Sequence, residues 1–170
     1  SGPVPIQSLL MQFTPEQLEK MRQIGLKLDR AGVFWQGDEK VTHPRLRQAL
    51  LRWLDHQDGK DIVKLDDKRF AYVEIEDAHL RALSAHWEGD RVMVLWDDDQ
   101  EAELDYGSLT VAADNAFYAK VRGLRGRIAG PAHAAISERI EERDGFVLNA
   151  TGRSWPISSD PALTTSSGTL

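Results

Sequence analysis

From Ile62 onward the apolar residues fall at alternate positions, and the runs they form are cut by clusters of Asp, Gly and Lys. Alternation of this kind puts one face of an extended chain in a core and leaves the other in water. Ile62-Val63-Lys64-Leu65 reads as one strand, Asp66-Asp67-Lys68-Arg69 as a turn, and Phe70 to Ile75 as the next strand. Val92 to Trp96 and Glu101 to Leu104, joined by Asp97-Asp98-Asp99-Gln100, form the clearest hairpin. Leu26 and Leu28, Val33-Phe34-Trp35, Leu109-Thr110-Val111, Ala116 to Val121 and Phe146 to Asn149 add further short strands, and Trp155-Pro156-Ile157 is the last apolar stretch.

Helical signals are fewer. Thr14-Pro15-Glu16-Gln17 offers a capping hydroxyl, a proline at the first helical position and a glutamine three residues after the cap, which predicts a helix over about 15–24. Thr42-His43-Pro44 opens a second helix whose Leu46, Leu50, Leu51 and Leu54 share one side, ending near Asp55. Pro131 to Arg143 is the third, with Ile136 and Ile140 inward and Asp144-Gly145 as its stop. About three helices without regular strand–helix alternation predict an α+β fold with a mainly antiparallel sheet. No internal repeat is visible. The expected organisation is a lead-in over 1–12, an N-terminal subdomain over 13–88, a C-terminal subdomain over 89–157, and a polar tail over 158–170.

Composition removes several classes of function. The chain has 170 residues and no cysteine, so thiol catalysis, Cys-ligated zinc and iron–sulfur clusters are excluded. No apolar run approaches the roughly 20 residues that span a bilayer, and the first residues lack the basic stretch and apolar core of a signal peptide. A formal net charge of −6 argues against general nucleic-acid binding.

Four groups of residues carry chemistry worth weighing. Asp97, Asp98 and Asp99 offer carboxylates to a hard cation, but the spacing of a calcium loop is absent and Asp is a natural turn residue. Glu76, Asp77, His79 and His86 mix carboxylates with imidazoles, as a metal site or acid–base pair requires, yet the stretch also reads as an ordinary strand exit. The five histidines (43, 56, 79, 86 and 133) show no tight ligand spacing, and there is no Gly-x-Ser-x-Gly elbow, so they read as surface or half-buried side chains. Finally, Lys120, Arg122, Arg125 and Arg127 form the one basic segment, interleaved with Gly123 and Gly126 and leading to a helix start near Gly130-Pro131. Guanidinium groups, glycines and a helix N-terminus are ingredients of an anion site, whereas a solvated loop is the plainer reading. Trp35, Trp53, Trp87, Trp96 and Trp155 are expected as core or groove walls.

An order of motifs resembles a bacterial family, domain of unknown function 1285. It comprises the Gly32-Val33-Phe34-Trp35 hairpin, the helix from Leu46 to Leu54, the Asp58-Gly59 turn, and the strand ending Val73-Glu74-Ile75-Glu76-Asp77-Ala78. A hairpin, a Phe-Tyr strand, a helix and a final apolar strand follow in the same order, so the likeness covers roughly 26–157. This chain has His79-Leu80 where the family continues with Pro-Phe. The resemblance implies a two-part α+β fold and a cytoplasmic bacterial protein. That family has no assigned activity, so no catalytic residues are implied, and Glu76 and Asp77 are expected to anchor a strand end.

The reading that follows is a non-enzymatic interaction or regulatory module with no cofactor and no metal. It is expected to bind a protein partner or small anionic ligand through Lys120, Arg122, Arg125 and Arg127. A homodimer is compatible with it. On this reading, charge reversal at Arg125 and Arg127 abolishes capture without unfolding the chain. The alternative is a metal-assisted hydrolase drawing on Asp77, His79, His86, Asp97, Asp98 and Asp99.

Overall fold

The computed structural model describes residues 25–67 and 69–160; the expected lead-in and the helix over about 15–24 lie outside them. The chain divides into two units, 1–79 and 80–170.

In the first unit, β1 (Leu26–Leu28), β2 (Phe34–Gln36) and β3 (Glu39–Lys40) precede helix α1 (Pro44–Arg52). After it come β4 (Leu54–Gln57), β5 (Lys60–Lys64) and β6 (Phe70–Ile75). The sheet order is β3-β2-β1-β6-β5-β4, antiparallel except where β1 runs parallel to β6. Helix α1 starts where expected: Pro44 supplies a preset φ, and His43 Nδ1 accepts the Leu46 N–H at 3.3 Å. Its Ala49, Leu50 and Leu51 are buried, as are Leu28, Phe34, Leu54, Val63 and Val73 of the strands.

The second unit begins with β7 (Leu80–Glu88), β8 (Arg91–Trp96) and β9 (Glu101–Glu103). A 3-10 turn at Tyr106–Ser108 leads to β10 (Thr110–Val111), β11 (Phe117–Val121), β12 (Leu124–Ile128), helix α2 (Gly130–Ser137), β13 (Ile140–Glu142), β14 (Phe146–Ala150) and β15 (Arg153–Ser159). The order β13-β14-β15-β10-β11-β12-β7-β8-β9 includes two parallel contacts, β10 with β15 and β12 with β7. Helix α2 packs on β7, where the Trp87 indole N–H donates to Ala135 O at 2.8 Å.

The strand orders reveal a repeat that the sequence reading did not see. Three strands, a helix and three strands form each set, β1–β6 around α1 and β10–β15 around α2, with the first and last strands parallel at the centre. Local signals recur in step. Phe34 and Phe117 open equivalent strands, Pro44 and Pro131 open the helices, and Asp58-Gly59 and Asp144-Gly145 turn the following hairpins with positive φ at both residues. In both sets one more backbone bond follows the central pair, Glu76 N–H to Leu28 O and Asp160 N–H to Val111 O. So few identical residues mark the repeat because pairing is a backbone property that different side chains satisfy equally well.

Several elements correct the expectations. Glu76 to His79 is the expected strand exit after β6, but it leads directly into an unexpected strand, the nine-residue β7, whose register shift between Ala82 and Ser84 breaks the two-residue period. Because β7 pairs with β8 and β12, the second unit starts at Leu80 and not after Glu88. The Leu124–Ile128 segment is strand, not loop, with Gly126 occupying an inward position between two arginines. Helix α1 stops at Arg52 and β4 follows at once; α2 stops at Ser137, ahead of β13. Ser158 and Ser159 belong to β15, and Asp160 is 1% exposed, so ordered structure runs into the expected tail. Two α-helices are found among the described residues, and the α+β class holds.

Two tests of the second unit's core follow. A Cβ on Gly126 would sit 2.4 Å from two ring carbons of Trp96, itself 2% exposed. Gly126→Ala is expected to lower unfolding free energy by about 1–3 kcal/mol through overpacking, read by denaturant titration. Tyr106 is stacked against Trp155, its hydroxyl donating to Glu103 and accepting the Val92 N–H. Burial, reinforced by Glu103 and opposed by the Val92 N–H, pushes its phenol up to about 12 from 10.0. The unfolded chain then ionises first as alkali is added. Stability is therefore expected to hold below about pH 10 and fall toward pH 12. Tyr106→Phe should flatten that fall in chemical-denaturation scans.

Candidate functional site

Helix α2 and the strands around it line a half-open cavity of about 270 Å³ in the second unit. Its walls are apolar: Val111, Phe117, Ile140 and Ile157, with Phe146, 53% exposed, at the rim. The polar end comes from His133 and Ser137, one turn apart on α2, and from Asn115 in the β10–β11 turn. The His133 ring stacks on Phe117, centroids 4.2 Å apart and planes 19° from parallel. Its Nε2–H donates to Asn115 O at 2.8 Å, which leaves Nδ1 as the acceptor facing the Ser137 hydroxyl at 3.4 Å. An imidazole fixed by stacking and one backbone bond is thus presented with a hydroxyl to an apolar cavity. Neither residue was singled out in the sequence, although their i, i+4 spacing on a helix was a visible signal.

The basic segment is built differently from the loop expected of it. Arg122 and Gly123, both at positive φ, turn β11 into β12, and the register pairs Lys120 with Arg125 and Tyr118 with Arg127. Three of the four cations have internal carboxylate partners. Arg122 pairs with Asp98, which is 0% exposed; Arg125 reaches Asp160 at 3.0 Å and lies 3.8 Å over the Tyr118 ring. Arg127 reaches Asp114 at 2.6 Å and donates to the Tyr118 hydroxyl at 2.6 Å. The Arg127 guanidinium, with the Ala116 N–H, holds the Asp114 carboxyl below the usual carboxylate range. Lys120 is exposed.

The acidic candidates are also engaged. Asp97 Oδ1 accepts the Arg81 N–H at 3.0 Å, Asp98 Oδ1 accepts the Gln100 N–H at 3.1 Å, and Asp99 adopts a positive φ in the β8–β9 turn. Glu76 lies 3.2 Å from Lys27 and 3.7 Å from Arg30, and Asp77 lies 3.9 Å from Arg30. His86 meets Glu88 at 3.1 Å, with Glu101 nearby, all exposed. In the first unit His79 meets Asp61 and His56, a grouping no sequence spacing suggested.

The ion pairs reverse the expectation for charge reversal at Arg125. A carboxylate there would face the buried Asp160, so Arg125→Glu is expected to destabilise the fold. Arg125→Met, which keeps the stem and removes the charge, should cost about 1–3 kcal/mol. Lys120→Met should change stability by less than about 0.5 kcal/mol, both measured by denaturant unfolding.

No family model matches the sequence, and no curated protein does. Similarity appears in three dimensions. A DUF1285 family protein from Silicibacter pomeroyi DSS-3 superposes with a TM-score of 0.68 at 14% identity, over 96% of this chain and 100% of that one. A second, from Shewanella baltica OS155, gives 0.52 at 15% identity, over 61% of this chain and 83% of that one. The chain thus has the fold of the DUF1285 family proteins, the family that its Gly-Trp hairpin, leucine-rich helix and Asp-Gly turn resemble.

Proposed function

We propose that the chain is a non-catalytic, regulatory binding module of the bacterial cytoplasm whose second unit takes a small ring compound in the α2 cavity. The carrying observation is the combination of an apolar wall with His133, Ser137 and Asn115 at one end. Apolar lining supplies affinity, and a few placed polar groups supply orientation. The volume of about 270 Å³ lies above the ~150 Å³ that admits one benzene ring and just below the roughly 300–1,000 Å³ of drug-sized sites. A planar compound of one or two rings with a single hydrogen-bonding substituent suits it. The basic strand is a weaker candidate for the same role. An added anion would have to displace Asp98, Asp160 or Asp114 from the guanidinium groups they already hold. That no helix among the described residues is long and apolar enough to cross a membrane accords with this reading.

Indole and straight-chain butanol serve as probes. Indole is expected to shift the amide resonances of Val111, Phe117, His133 and Ile157 and to bind with a Kd below about 1 mM. Butanol should bind more weakly. Ser137→Leu, which fills the polar end, should weaken indole at least about tenfold with the melting temperature preserved. Resonance shifts elsewhere, or equal binding by the variant, would remove the assignment.

A further inference from the structure

We infer that the first unit holds a divalent transition-metal ion of the zinc class through His56, Asp61 and His79. The arrangement starts from the β4–β5 hairpin. Asp58 and Gly59, at φ 53° and 73°, form a two-residue turn that sets the register Leu54–Val63 and His56–Asp61. Those four side chains share one face of the sheet. Leu54 and Val63 are buried and fix the hairpin in the core, so His56 and Asp61 stand opposite each other one step nearer the turn.

The third member comes from a different stretch of chain. Beyond β6 the segment at Ala78 and His79 is buried, with His79 8% exposed. His79 Nε2 lies 2.6 Å from Asp61 Oδ1, and His56 Nδ1 lies 2.8 Å from the same oxygen. The two rings are 6.5 Å apart and nearly perpendicular, at 82°. All three ligand atoms fall within 4.8 Å of one another. Two imidazole N–H groups donating to one carboxylate oxygen satisfy this cluster without an ion, and the same two nitrogens become ligands when those protons leave.

The geometry is close to what an ion needs. Metal–ligand bonds of about 2.0–2.1 Å in a tetrahedron set the ligand atoms about 3.3 Å apart. To admit it, the separation from Asp61 Oδ1 must therefore widen by about 0.5 Å at the His56 nitrogen and by about 0.7 Å at the His79 nitrogen. His56 lies at an exposed hairpin end and Asp61 is half-buried beside it, so both have room to move, while His79 is held by burial. Two nitrogens and one oxygen, in a chain without cysteine, select Zn²⁺, Co²⁺ or Ni²⁺ over calcium or magnesium, which require more oxygen ligands. Three protein ligands leave a fourth position for water or an exogenous anion.

A second imidazole–carboxylate group among the described residues, His86, Glu88 and Glu101, supplies the control. All three of its members are exposed, so each can be changed without disturbing the core.

The test uses the full chain without an affinity tag, titrated with Zn²⁺ by calorimetry and with Co²⁺ by visible absorption at about pH 7.5. One ion per chain and a tetrahedral Co²⁺ spectrum are expected, with no saturable response to Ca²⁺. His56→Gln and Asp61→Asn should each lower Zn²⁺ affinity at least about tenfold, and His86→Gln should leave it unchanged. Because ligation displaces imidazole protons, binding should weaken as the solution is acidified toward about pH 5. Melting temperatures of the ion-free variants report folding separately, and the exposed position of His56 makes His56→Gln the informative one. No stoichiometric binding, undiminished affinity in His56→Gln and Asp61→Asn, or loss of binding in His86→Gln would each overturn the assignment. Failure of indole to bind the second unit has no bearing on this result.

Discussion

Each six-strand set is closed at its centre by one parallel contact between strands far apart along the chain. Leu26 pairs with Val73 and Thr110 with Ser158. Until these contacts form, the two three-strand halves of each set are separate ribbons with open central edges, and isolated ribbons of that size are marginal in water. Closing the intervening chain costs entropy that only non-local pairing and burial offset. The candidate sites combine that closure with the hairpins on either side of it. In the first unit the parallel contact fixes β6 in the sheet, and the antiparallel β5–β6 pairing carries the chain after β6 past the β4–β5 hairpin, where His79 meets Asp61. In the second it sets β15 beside β10, so that Ile157 and Val111 line one cavity and Asp160 enters the core.

The buried carboxylates show how the second unit handles charge. Asp98 and Asp160 are nearly inaccessible, and each is met by an arginine from the β11–β12 hairpin. A lone buried carboxylate is too costly to persist ionised, so the partner is a condition of burial and not an ornament. The same hairpin carries Gly126, whose missing side chain admits the Trp96 ring. Cations and glycine in this segment thus serve the packing of the sheet, although along the sequence they have the look of a ligand loop.

Much of the local structure was legible before the fold was known. The β8–β9 hairpin, the β6 strand and the start of α1 at Pro44 coincide with the expected elements, because each depends on signals within a few residues: alternation, Asp turns and a proline at the first helical position. Strand β7 escaped because its bulge breaks the alternation, and β12 because two arginines and a glycine hide it. The His133–Ser137 pair was visible only as spacing; its cavity required β10, β13, β14 and β15 to assemble around it.

The sequence by itself determined several of the turns and short strands, where helices α1 and α2 begin, and that the chain carries no thiol. These are matters of backbone preference and of side chains close together along the chain. Tertiary structure alone decided that the strands form two like sets, that Asp98 and Asp160 are buried against arginines, and that His56, Asp61 and His79 share one oxygen. Each of those facts joins residues distant in sequence, and such contacts are set by how sheets close and cores fill, which no local pattern encodes.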